Sequence, residues 1–183
     1  MKWAESVLGS VAKLICNLVN LMHKKIFFLF LLFLGAFQVF SEEISLHDAQ
    51  LAYNDGNHQK AFEIWKNLAD QGDIVALNNL GYLHEKGEGV KMDLELSLNY
   101  YLESANRGFP TAQYNVGEIY AEGRGVKADK VVALKWFILA GVKGDQDAQN
   151  YYEKIFSSLT KKQVEEANQL ARDWKVKVPE KKN

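Results

Sequence analysis

The chain has 183 residues, enough for one domain with a real core, and its 48% hydrophobic and 25% charged side chains exclude disorder on composition. Its net charge of −1 is unevenly spread: residues 1–41 carry Lys2, Lys13, Lys24 and Lys25 against Glu5, which leaves 18 basic and 22 acidic side chains, a net of −4, in the rest. A body with that balance has no overall attraction for nucleic-acid phosphates, so a nucleic-acid partner is not expected.

In chain order, residues 1–21 read either as a mis-called extension ahead of a start at Met22 or as an amphipathic lead-in. The stretch from Met22 to Ser41 has the order of a secretory signal peptide: His23, Lys24 and Lys25, then an apolar run from Ile26 to Phe40 broken by Gln38, then Ser41 before Glu42. The run is 15 residues, short of the ~20 a spanning helix needs. Cleavage after about Ser41 would release a periplasmic or secreted body. The alternative is an uncleaved inner-membrane anchor, the one case in which membrane contact is expected, and charge order puts the body outside the cytoplasm in both. Cys16 is the sole cysteine and precedes the apolar run, so the body has no disulfide and rests on packing.

The body is periodic. Gly72, Gly108 and Gly144 are 36 residues apart, as are Ala76, Ala112 and Ala148; Gly81 pairs with Gly117, and Trp65, Tyr101 and Phe137 share another phase. The spacing predicts two helices per unit: 45–72, 73–108 and 109–144, then a last repeat helix and a capping helix over 145–175, and a basic disordered tail over 176–183. "AQYNVGEIYAEG" (112–123) has Ala112, Val116, Ile119 and Tyr120 at helical spacing. Gly117 inside it costs ~1 kcal/mol relative to alanine, so its recurrence implies close approach by the second helix of the same unit. Pro110 lies one residue ahead of that helix, where it does no harm. "LTKKQVEEANQLARDWK" (159–175) opens with Thr160 and Gln163 in capping-box spacing and carries one apolar stripe of Val164, Ala167, Leu170, Ala171 and Trp174.

"GEGVKMD" (87–93) recurs as "GRGVKAD" (123–129). A dinucleotide loop needs a third glycine where Met92 and Ala128 stand, and a strand before it, so a phosphate site is excluded. Gly87 and Gly123 instead end a helix, Gly89 and Gly125 turn the chain again, Val90 and Val126 plug the core, and Asp93 and Asp129 start the next helix. Gly72, Gly81, Gly87, Gly89, Gly108, Gly117, Gly123, Gly125 and Gly144 are thus structural repeat positions.

The segments 76–108 and 112–144 closely resemble Sel-one-like repeats, relatives of tetratricopeptide repeats, and Ala49, Gly56, Ala61 and Trp65 follow the tetratricopeptide pattern. The unit at 76–108 departs at His84, where the pattern has tyrosine, and at Ser97, where it has alanine. The resemblance covers about 45–175. It implies an all-α, right-handed superhelical solenoid of antiparallel helix pairs with a C-terminal capping helix. It implies a protein-interaction scaffold with no catalytic residues. One secreted branch, rich in disulfides, is associated with penicillin binding or hydrolysis, from which the cysteine-free body departs. Another exported branch neutralises toxins delivered between bacteria.

The histidines His23, His47, His58 and His84 have no metal-ligand spacing, and no nucleophile motif occurs, so no metal, cofactor or catalytic site is expected. His84 is expected to be a packed, hydrogen-bonded histidine. The expected partner is a protein or peptide held in the concave groove. That groove would be lined by the outward positions of the first helices: Gln50, Tyr53 and Asn54; Asn78, Tyr82 and Glu85; Tyr114, Glu118 and Glu122; Asn150 and Lys154. The alternatives are an immunity protein against an interbacterial toxin and, in a different class, a peptidoglycan- or β-lactam-acting hydrolase.

Overall fold

The computed structural model describes residues 45–177. The expected signal segment, the extension before it and residues 178–183 lie outside the described residues. Within them the chain forms eight helices and no strand: α1 (Leu46–Asn54), α2 (His58–Asp70), α3 (Ile74–Lys86), α4 (Leu94–Asn106), α5 (Pro110–Glu122), α6 (Lys130–Val142), α7 (Gln146–Phe156) and α8 (Lys161–Asp173). Each helix packs on the next as far as α7, and α8 lies along α6. None is long and apolar enough to cross a membrane.

Local chemistry sets the boundaries. Asp73, Asp93, Asp129 and Asp145 cap the N-termini of α3, α4, α6 and α7 with their carboxylates, and Thr160 and Gln163 form the expected capping box on α8. Pro110 is the first residue of α5 rather than one ahead of it; its missing N–H is one the helix leaves free there. Gly87 and Gly123 end α3 and α5 in the left-handed conformation, φ 70° and 73°.

Two contacts hold the helices at their spacing. The first is within a unit. A Cβ on Gly81 would stand 2.8 Å from the Tyr101 ring, and one on Gly117 would stand 2.6 Å from the Phe137 ring. Both rings are fully buried, so the aromatic side chain of the second helix rests directly on the backbone of the first. The second contact is between units. A Cβ on Gly89 would meet the His58 backbone at 2.6 Å, and one on Gly125 would meet the Leu94 Cβ at 2.7 Å. Each glycine joint therefore presses on the start of the preceding second helix, while Val90 and Val126 insert into the apolar clusters on either side.

Polar groups close the remaining gaps. Ser97, where the repeat pattern has alanine, donates its hydroxyl to the Gly81 carbonyl at 2.7 Å, and Ser104 donates to the Ile74 carbonyl at 2.6 Å. The carbonyls of Gly72 and Gly108, which follow α2 and α4, accept from Arg107 (3.1 Å) and Lys143 of the next unit. Of the apolar stripe expected on α8, Ala167 and Ala171 are buried, whereas Leu170 is 40% exposed because α8 meets the stack along a narrower face. After α8 the chain is extended and returns to α4, where the Lys177 N–H donates to the Asn106 carbonyl at 2.8 Å. The segment expected as a free tail from residue 176 thus begins tied to the stack.

The Gly117 seat gives a direct test. Gly117→Ala should cost about 1–3 kcal/mol in urea unfolding, as overpacking of a tight core does. Adding Phe137→Leu should recover part of that loss, because it removes the ring the new methyl strikes. Equal stability of Gly117→Ala and the parent chain would contradict the seat.

Candidate functional site

The first helices α1, α3, α5 and α7 present a row of tyrosines, carboxylates and amides, which falls into three parts.

At one end, Tyr53 from the last turn of α1 meets Tyr82 of α3 edge-on, with ring centroids 6.2 Å apart, and stacks on His58 at 4.9 Å. Its hydroxyl donates to Glu88 at 2.9 Å. Hydrogen bonding with Tyr82, burial and Glu88 together push its pKa well above the ordinary phenol range, so it stays neutral. Tyr82 is 37% exposed and has the Lys86 ammonium 5.6 Å from its ring centroid. Gln50 and Asn54, both exposed on α1, bond to each other at 2.9 Å.

The centre is organised by Arg124, from the glycine joint after α5. Its guanidinium reaches back to Glu85 on α3 and also meets Glu122 at 3.0 Å and Glu118 at 3.7 Å. Glu85 further accepts from the Tyr101 hydroxyl at 3.1 Å and from Lys86 at 3.0 Å. Burial alone would raise the Glu85 pKa; Lys86, Arg124 and Tyr101 outweigh it and hold the carboxyl below the usual glutamate value. The Tyr101 hydroxyl is shifted far up, first by burial and then by Glu85.

At the other end, Tyr114 of α5 meets Tyr151 of α7 edge-on at 5.7 Å, and both rings rest on Phe137 at 5.9 and 5.3 Å. Lys154 stands 5.1 Å from the Tyr151 ring, and Asn150 is exposed beside it. Burial and Glu118 raise the Tyr114 pKa; Glu118 is the main cause at Tyr151.

The structure therefore brings Tyr53, Tyr82, Glu85, Glu118, Glu122, Tyr114 and Lys154 into one row, with Gln50, Asn54 and Asn150 at its margins. Asn78 differs from its expected outward position: it is 8% exposed and accepts from Asn115 at 3.0 Å, joining α5 to α3. His84 is packed as expected, stacked on Tyr100 at 5.6 Å and edge-on to Phe62 at 5.9 Å. Its Nδ1, however, has no hydrogen-bond partner among the described residues. Four contributors were missed: Glu88, Arg124, Asn115 and Tyr151. Glu88 and Arg124 occupy the same position between the paired glycines, and that variable slot points both onto this face. Asn79, Asn115 and Tyr151 share the 36-residue phase, which carried the signal for the other two. Among the described residues, no group of three or more His, Cys, Asp or Glu could hold a metal ion.

Stacked two-helix units presenting one continuous face of side chains define an all-helical repeat scaffold. The Sel1 repeat family model matches residues 49–73, 74–109 and 110–145, more than half of the chain, and the chain belongs to the Sel1 repeat family. Proteins of this family are in general non-catalytic scaffolds that bind protein partners. Over 45 residues the chain is 42% identical to the ERAD-associated E3 ubiquitin-protein ligase component HRD3A of Arabidopsis thaliana, a stretch that is 25% of this chain and 7% of that protein. Among solved structures it is similar to c5321, a protective antigen present in uropathogenic Escherichia coli strains displaying an SLR fold. The TM-score is 0.67 and the identity 28%, over 70% of this chain and 28% of that one. A Sel1 repeat protein from Oxalobacter formigenes matches with a TM-score of 0.60 and 24% identity, over 72% of this chain and 56% of that one, and shares the fold.

The Arg124 cluster makes stability pH-dependent. The folded-state pKa of Glu85 is depressed, so its contribution is full above the unfolded-state value of about 4.3 and fades as pH falls through the lower folded value. Glu85→Gln should therefore be less stable than the parent chain at pH 7 by about 1–2 kcal/mol, between the exposed and buried ion-pair ranges. The gap should narrow toward pH 3 in urea unfolding; a gap constant with pH would refute the assignment.

Proposed function

We propose that the chain is an exported scaffold that holds a protein or peptide partner against the face lined by α1, α3, α5 and α7. The observation that carries this reading is the uninterrupted row from Tyr53 through Tyr82, the Arg124 cluster and Tyr114 to Tyr151. Tyrosine offers a large apolar area with a polar tip and few rotatable bonds, the properties that enrich it at interfaces. These rings are already held by neighbours, so little side-chain freedom is lost when a partner covers them. Side chains of adjacent first helices touch directly, while α2 and α4 are parted by a groove on the other side, which favours the first-helix side as the concave one. Export rests on the Met22–Ser41 pattern and would put the partner outside the cytoplasm.

Tyr82 is the ring to change, because it is the most open of the row and its loss leaves the core intact. Tyr82→Ala should reduce recovery of a crosslinked partner from the envelope and weaken its binding about tenfold or more, the cost of an interfacial hot spot. Equal capture by both chains would remove this face from the function. Terminal sequencing of the envelope form should find Glu42 or a near neighbour as its first residue; an intact start at Met1 or Met22 would remove cleavage.

A further inference from the structure

The side opposite the tyrosine row has a groove of 620 Å³ between α2 and α4, floored by Leu77 and Leu80 of α3 and walled by Ala69 and Tyr100. Moving 36 residues along the sequence turns Ala69 into Ala105, Gly72 into Gly108, Leu80 into Val116, Tyr100 into Trp136 and Arg107 into Lys143. Those residues line the next groove, between α4 and α6, and the chain fills that one itself. Trp174 enters its apolar cluster and meets Trp136 edge-on at 6.5 Å. Lys143 stands 5.7 Å from the Trp174 ring, Val176 would lie 3.5 Å from a Cβ on Gly108, and the Lys177 N–H donates to the Asn106 carbonyl at 2.8 Å. The chain thus shows what such a groove accepts: a short extended segment with an aromatic side chain down, an aliphatic one beside the glycine, and a main-chain hydrogen bond to the end of the preceding second helix.

The first groove retains these elements. Tyr100 stands for Trp136, Arg107 for Lys143, the end of α2 for the end of α4, and Leu77 makes the floor more apolar than Gln113 does in the second. Its rim also suits a basic segment better. Asp70 and Glu103 stand where the second groove has Asn106 and Leu139, and Asn99 stands where it has Lys135. In the second groove Lys177 comes close enough to Lys135 to add to the lowering of its pKa by burial. Asp70 is paired with Lys66 at 3.2 Å and Glu103 with Arg107 at 2.5 Å, so this rim is close to neutral where the second is basic, and a basic segment in the first groove would avoid that repulsion.

We propose that the α2/α4 groove is a second docking site, for an extended partner segment in which an aromatic residue is followed within three positions by an aliphatic and a basic one. The site lies on the opposite side from the tyrosine row and does not depend on it.

The test uses a fluorescein-labelled synthetic peptide of the sequence of residues 172–178, RDWKVKV, titrated with the full chain and followed by anisotropy. Saturable one-to-one binding is expected, weakened about tenfold when the peptide carries Trp174→Ala, the usual cost of a buried aromatic anchor. Ala69→Phe in the protein fills the groove and should abolish binding. Glu103→Lys, on the exposed rim, should weaken it several-fold with the far-UV circular dichroism unchanged, which keeps the test valid if Ala69→Phe does not fold. Absence of saturation up to about 1 mM overturns the proposal. Binding insensitive to both protein variants overturns it too, since the peptide would then be displacing the chain's own segment from the second groove. A dimer in sedimentation that is lost on Trp174→Ala would make the occupant a second copy and overturn the partner assignment.

Discussion

The structure depends on an aromatic ring lying flat on a helix where a glycine omits its side chain. Tyr101 on Gly81 and Phe137 on Gly117 bring the two helices of a unit closer than any Cβ would permit. Neither glycine is chosen for a turn: both lie mid-helix, where glycine is locally unfavourable, and the burial of a whole ring offsets that cost. The joint that follows uses glycine differently. Gly89 and Gly125 take positive φ, and their bare backbone also abuts the start of the preceding second helix. One contact fixes the width of a unit and the other fixes the distance to its neighbour.

Both faces follow from these two distances. On the first-helix side they bring Tyr53 to Tyr82, Asn115 to Asn78 and Tyr114 to Tyr151. The residue between the two glycines of each joint is aimed onto that side, where Glu88 meets Tyr53 and Arg124 meets Glu85. On the second-helix side the same distances leave grooves above α3 and α5. Trp174 closes the latter, and among the described residues no side chain enters the former.

Much of this was legible in the sequence because the repeat exposes it. A glycine recurring inside an apolar helical pattern demands a close neighbour, and the bulky residue in phase with it supplies one. Capping was equally plain where Asp93, Asp129 and Thr160 each stand just before a helical pattern. The Arg124 cluster was not legible, since periodicity favours positions that repeat, whereas Arg124 replaces Glu88 and works by differing. Asn78 misled for a related reason: its phase is outward in Tyr114 and Asn150, but Asn115 reaches over and covers it. The course of Trp174 to Lys177 was hidden because an extended segment's destination depends on tertiary contacts, not on its own pattern.

Ring seats and glycine joints lock the helix pairs into one body rather than a row of separable hairpins. Native-state hydrogen exchange tests it most directly. The slowest amides of α3, α4, α5 and α6 should open with a common free energy equal to that of global unfolding, because no unit can release its joint without freeing the helix it presses on. Distinct opening free energies for α3–α4 and α5–α6, each well below the global value, would contradict the account.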